Sequence, residues 1–212
     1  RKASKDNKLY SKLMGNVNRS LGDYIGRNWA IDAGVYEAMS MAFPFFKYPT
    51  QADWEYCKTC TLNTVGKRLV NTNIASEWKK KILASEHSPI RELWFGFRLE
   101  IPYWVSVHFT RHHEGVNHYV QTHRTDRTGV DHNEMPQGAM VSHVITINAQ
   151  ALMNIAHKRL CKQASKETRE VMQAVCELAV SVCPELEGLL VANCKYRNGR
   201  CTEVFPCKKE GE

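Results

Sequence analysis

Glu92-Leu-Trp-Phe-Gly-Phe-Arg-Leu-Glu-Ile101 is the stretch that decides the fold. Leu93, Phe95, Phe97, Leu99 and Ile101 fall on every second position. A period of two places five large apolar side chains on one face of a strand. Pro102 then suits the first turn of a helix, and Trp104, Val107, His108 and Arg111 recur at helical spacing. A buried strand therefore runs into a helix, and that helix ends in a cluster of cations.

The cluster spans residues 111–127 and reads Arg-His-His-Glu-Gly-Val-Asn-His-Tyr-Val-Gln-Thr-His-Arg-Thr-Asp-Arg. Arg111, His112, His113, Arg124 and Arg127 are cations or potential cations. They stand at the end of a packed element, an arrangement suited to a phosphorylated or electron-rich ligand. A charge run of this kind is as often a solvated loop.

A second unit of the same kind follows. Residues 128–138 are turn-rich. The β-branched Val144, Ile145 and Ile147 mark a strand over 141–147. Asn148 is a helix cap for 149–160, with Leu152, Ile155 and Ala156 on the apolar side and Gln150, Asn154 and Arg159 among its polar groups. Another helix, Lys166–Val182, starts near Ser165 and Thr168, buries Val171, Val175, Leu178 and Val182, and stops at Pro184. If the two strands share a sheet, Arg111, His112, His113, Arg124 and Arg159 converge. A guanidinium offers a phosphate two parallel donors, which Lys cannot match.

Upstream, Asp53 is a helix cap for a segment to about Cys60, with Trp54, Cys57 and Thr61 on one face. Residues 66–84 are expected to form one helix with apolar points Leu69, Ile74, Trp78 and Ile82. Lys79, Lys80 and Lys81 suit the negative end of its dipole. Pro89 disfavours helix at Ser88 and begins a new element. Residues 1–34 are expected to be a basic extension, and 35–47 hold an apolar cluster broken by Pro44.

With 212 residues, 43% hydrophobic and 24% charged, the chain can bury one sizeable core. No apolar run reaches about 18 residues, so no membrane span is expected. The polar, basic first residues lack a secretory h-region, and a cytoplasmic location is expected. The net charge of +7 favours anionic partners, nucleotides or nucleic acid. Eight cysteines without a secretory signal are expected as reduced thiols, with Cys161, Cys176 and Cys183 as small core residues. Cys57-Lys-Thr-Cys60 is a C-x-x-C, a pattern that also arises by coincidence on an amphipathic helix. Cys194, Cys201 and Cys207 would need a fourth ligand to bind zinc, their spacing is not that of a standard ribbon, and no metal is assigned. No P-loop, G-x-G-x-x-G, H-E-x-x-H or G-x-S-x-G is present. From the residues alone the reading is an anion- or nucleotide-binding α/β domain.

Two sets of residues carry a sharper resemblance. One is His87-Ser88-Pro89, then the strand, then Arg111-His112-His113 and Gln121-Thr122-His123-Arg124. The other is Asn148-Ala149-Gln150-Ala151-Leu152-Met153-Asn154, followed by Arg159 and the 163–169 stretch. Together they resemble the flavin-dependent thymidylate synthases, with their Arg-His-Arg motif, their Ser followed two residues later by Arg, and their Asn-Ala-Arg-Ser-Leu helix. The resemblance covers about residues 60–185. His113 stands where the family has its second Arg, and Gln150 replaces another Arg. Thr122 takes the Ser position when the loop is one residue longer.

The resemblance implies an α/β (α+β) fold, a central, mostly antiparallel sheet flanked by helices. It implies a catalytic domain over 35–190, between the basic extension and a cysteine-containing tail at 191–212. The implied reaction is reductive methylation of dUMP to dTMP, with FAD, NADPH and methylenetetrahydrofolate. Ser88, Arg111, His112, His113, Asn148 and Asn154 are implied for the cofactor. Thr122, Arg124 and Arg159 are implied for the nucleotide, with Thr122 and Arg159 catalytic. A homotetramer with sites shared between subunits is also implied, with no membrane and no stable nucleic-acid partner. Two other readings stay open: a flavoenzyme of the same fold modifying another pyrimidine nucleotide, for instance by hydroxymethylation, and a basic nucleic-acid-binding module.

Overall fold

Alternation at period two becomes a sheet of four strands: β1 (Phe45–Lys47), β2 (Trp94–Pro102), β3 (Val116–Val120) and β4 (Met140–Asn148). Their order is β1-β2-β4-β3 and every pairing is antiparallel. The computed structural model describes residues 45–69 and 73–207. The chain divides into Arg1–Pro44 and Phe45–Glu212, and all described residues belong to the second unit. The expected extension over 1–34 and the apolar cluster up to Pro44 lie outside the described residues.

The register sets Phe95 opposite Ile147, Phe97 opposite Ile145, Leu99 opposite His143 and Ile101 opposite Val141. All eight are buried, so one face of the two central strands is a continuous packed surface. Against it lie α3 (Tyr103–Thr110), α5 (Ala149–Arg159) and α6 (Lys166–Val182). Phe109, Leu152, Ile155, Met172 and Val175 close on Phe97, Leu99, Ile145 and Ile147 around a void of about 10 Å³. An apolar gap of that size holds no water. Among the described residues no helix is long and apolar enough to cross a membrane.

Helix starts follow side-chain chemistry. The Asn148 side chain accepts from Ala151 N at 2.9 Å and starts α5, and Ser165 accepts from Thr168 N to start α6. α1 (Gln51–Asn63) is capped by Thr50, not by the expected Asp53. Asp53 sits at N3 and completes a capping box by accepting from Thr50 N at 2.7 Å. The helix expected over 66–84 shrinks to α2 (Ser76–Ala84), because 67–69 and 73–75 are not helical. Gly66, with φ +69°, takes a left-handed conformation that a helix interior does not accept. Pro89 opens a three-ten turn, Ser88–Glu92, so β2 begins at Trp94 and not at residue 92.

Cys57, Cys161, Cys176 and Cys183 are buried. Burial pushes the Cys57 and Cys183 thiols up to about 12, which removes thiolate reactivity at neutral pH. The C-x-x-C therefore lies on α1 with one inert member. Among the described residues no group of three His, Cys, Asp or Glu side chains gathers for a metal. Cys194 and Cys207 are half-buried and Cys201 is exposed. The segment that carries them runs along α5. Tyr196, in the single-turn α7 (Asn193–Tyr196), donates to Glu86 at 2.5 Å and stacks on His157 with centroids 4.2 Å apart. Lys158 pairs with Glu203, and Gln163 donates to the Phe205 carbonyl.

Candidate functional site

The helix α3 ends at Thr110 with Arg111 as its C-cap. Its buried face is Val105, Ser106 and Phe109. The set Trp104, Val107, His108 and Arg111, expected from spacing alone, is the partly exposed flank. That flank is where the cations meet. Arg159, at the end of α5, donates through Nε to His112 Nε2 at 3.0 Å and through Nη2 to the His108 carbonyl at 2.8 Å. The Arg111 guanidinium lies within electrostatic reach of both His108 and Arg159. The two strand–helix units bring Arg111, His112 and Arg159 together within one chain.

An arginine keeps its proton at any physiological pH. His112 Nε2 must therefore be a lone pair, which leaves the proton on Nδ1. Burial first, then the neighbouring Arg159, push the His112 pKa down to about 4. So His112 is neutral at neutral pH and presents an N–H. Burial, followed by Arg111, acts against the charge on Arg159. The neighbouring charges that act on His112 and Arg159 are arginine and imidazole groups. His113 is exposed and adds to the field at His112 and His118. The patch thus offers donors and positive charge, a match for an oxyanion.

His108 joins the patch to α6. Its Nδ1 lies 2.8 Å from Thr168 Oγ1, which is itself 2.8 Å from Ser165 Oγ. Its ring meets the edge of Trp104. Two further histidines sit beneath. His118 Nε2 is 2.8 Å from the His112 carbonyl, and His118 Nδ1 is 2.9 Å from His143 Nε2. The sequence placed His108 only on a helix face and did not single out His118 or His143. Residues 116–120 read as part of a polar run, yet Val116, His118 and Val120 alternate with Asn117 and Tyr119, which was the available signal for β3.

Arg124 does not join the patch, contrary to expectation. β3 carries the chain away, and Arg124 forms a forked ion pair with Asp126, with both bonds at 2.9 Å. Asp126 belongs to the one-turn α4 (Thr125–Thr128). Arg127 also faces Asp126. Thr122 and Arg124 line a surface groove of about 660 Å³ with Tyr103, Gln121, His123 and His132. Tyr103 opens α3 and Arg111 closes it, so the groove and the patch lie about 12 Å apart along that helix. Ser88 is exposed in its three-ten turn, which packs on α5. Asn154 is exposed on α5 and accepts weakly from Gln150 at 3.5 Å. Asn148 is buried, its oxygen already used as the cap. Gln150 donates to Glu86 at 2.7 Å.

Residues 133–185 match the family model described as thymidylate synthase complementing protein. Over that stretch the chain is similar to the thymidylate synthase complementing proteins. No curated protein matches the chain. The matched segment contains β4, α5 and α6, and with them Asn148, Asn154 and Arg159. The Arg111–His112 half of the patch and the groove lie before it. The antiparallel sheet with helices on its packed face is the architecture expected of a thymidylate synthase complementing protein. That similarity supports, in general terms, a flavin-dependent thymidylate synthase type of function.

Proposed function

We propose that the chain catalyses FAD-dependent reductive methylation of dUMP to dTMP, with methylenetetrahydrofolate as the one-carbon source and NADPH as the reductant. The observation that carries the reading is the Arg159–His112 pair beside Arg111, a cluster of donors and positive charge. A donor-rich cradle fits the pyrophosphate of a dinucleotide. Bound there, a flavin would supply hydride acceptance and delivery.

The chain's own residues have separable tasks in this reading. Arg111, His112 through Nδ1–H, and His113 hold the cofactor phosphates. Ser88, Asn148 and Asn154 contact the cofactor from the α5 side. Thr122 and Arg124 hold the nucleotide phosphate, for which Arg124 must leave Asp126. Arg159, with Nη1 free of any bond to His112 or His108, faces the uracil carbonyl. A cationic donor there polarises the ring and makes C5 nucleophilic. Thr122 and Arg159 are the catalytic pair.

Thr122 and Arg124 lie at the opposite end of α3 from Arg159 in a single chain. That separation supports a homotetramer in which one subunit's groove faces another's patch. The test is direct. Pure protein shows flavin absorbance, releases FAD on denaturation, and liberates tritium from 5-tritiated dUMP with NADPH and methylenetetrahydrofolate. A colourless protein that takes up no FAD rejects the proposal. Light scattering at the mass of a monomer rejects the shared site.

A further inference from the structure

The cradle's geometry depends on a turn, Arg111-His112-His113, that lies between a helix end and an edge strand. Something must hold that turn. A carbonyl only accepts, so at 2.8 Å the His118 Nε2 must carry the proton it gives to the His112 carbonyl. His118 Nδ1 is then a lone pair. At 2.9 Å from it, His143 Nε2 must be the donor. His143 Nδ1 is left as a lone pair, and it is buried without a partner among the described residues. One tautomer chain satisfies all of these contacts. It runs from His143, fully buried on β4, through the edge strand β3, to the backbone of His112.

We infer that His118 and His143 are positioning residues of the anion cradle, a tautomer-locked brace that fixes the His112 carbonyl and so aims the His112 ring at Arg159. The inference rests on the proposed anion-binding role of that patch. His143 occupies an apolar row, between Val141 and Ile145 on β4 and opposite Leu99 on β2. An aliphatic side chain would pack there without an orphaned acceptor, so the imidazole carries a desolvation cost that packing does not require. Its second nitrogen reaches His118, which gives the cost a purpose. Burial holds both rings below the ordinary imidazole range, so both are neutral at neutral pH, as the tautomer chain needs.

Two substitutions at one position separate the brace from mere packing. His118→Gln keeps an N–H near the former Nε2 and recovers the bond to the His112 carbonyl. His118→Asn keeps only the end near His143. The probe is inorganic pyrophosphate, followed by titration calorimetry on the full chain. Loss of that single bond weakens pyrophosphate binding by roughly fivefold to tenfold in His118→Asn, while His118→Gln stays near the wild type. Equal affinities in folded Asn and Gln variants overturn the inference. Nitrogen-15 spectra of the wild-type imidazoles give an arm that needs neither ligand nor variant. Nε2–H tautomers at both His118 and His143 support the brace, and an Nδ1–H tautomer at either one overturns it. Wild-type protein that ignores pyrophosphate yet shows both Nε2–H tautomers rejects the anion-binding reading while leaving the brace itself intact.

Discussion

Arg159 Nε–H points at His112 Nε2 across 3.0 Å, joining residues 47 positions apart. The same guanidinium caps the end of α3 through the His108 carbonyl. One side chain therefore both closes a helix and sets the tautomer of its neighbour.

Replacing Arg159 tests both tasks. Arg159→Ala leaves the His108 carbonyl and His112 Nε2 without their donor and is expected to cost about 1–3 kcal/mol of stability. Arg159→Lys restores charge but not the fork, so it is expected to recover stability better than anion affinity. Urea unfolding and pyrophosphate titration read the two separately. A lysine variant that binds as tightly as the wild type contradicts the forked role.

Acid should loosen this region before it affects most carboxylates. His112 and His143 have folded-state pKa values of about 4, against about 6.5 for an unperturbed imidazole. The unfolded chain therefore binds protons first. Stability is full above about pH 6.5 and falls as pH drops toward 4. Unfolding free energies measured from pH 7 to pH 5 should decline, and His143→Leu should reduce the slope. An unchanged slope in that variant rules out His143 as a contributor.

Gly115 is tied to Asn148 by shape. Its φ is +69°, and a Cβ there would fall 2.4 Å from Asn148 Nδ2. Its carbonyl also accepts from Asn148 N. Gly115→Ala is expected to destabilise by roughly 2 kcal/mol or more, combining left-handed strain with displacement of a helix cap. Gly66 has the same φ and open space around it, so Gly66→Ala is expected to cost only about 1 kcal/mol. Equal losses at the two sites would refute the clash with Asn148.

Tyr196 holds the C-terminal segment through Glu86 and His157. The Tyr196 hydroxyl is the first cause of the lowered Glu86 pKa. Tyr196→Phe keeps the stack and drops the hydrogen bond, which at this half-buried carboxylate is expected to cost about 1 kcal/mol. Limited proteolysis within 197–207 should become faster, while the core of the sheet stays protected. Unchanged cleavage would remove Tyr196 as the anchor.

Much of this molecule is local and was readable along the chain. Alternation at 93–101 set the inward face of β2, because a pleated strand turns successive side chains to opposite sides. Asn148 and Ser165 announced α5 and α6 through short side chains that satisfy the first free N–H groups of a helix. The gathering of Arg111 and Arg159 was inferred from two strands sharing a sheet, and they do share it. Other features depended on partners far along the chain. Whether Arg124 meets Arg159 turns on the path of β3 and on Asp126. The proton positions on His112, His118 and His143 follow from contacts between three elements, because an imidazole's tautomer is set by whatever its two nitrogens touch. Period and capping act within a few residues, so β2, β4, α5 and α6 were legible along the chain, while β3 and the inward face of α3 were not. Charge pairing and tautomer choice act through space, and only the tertiary structure decided them.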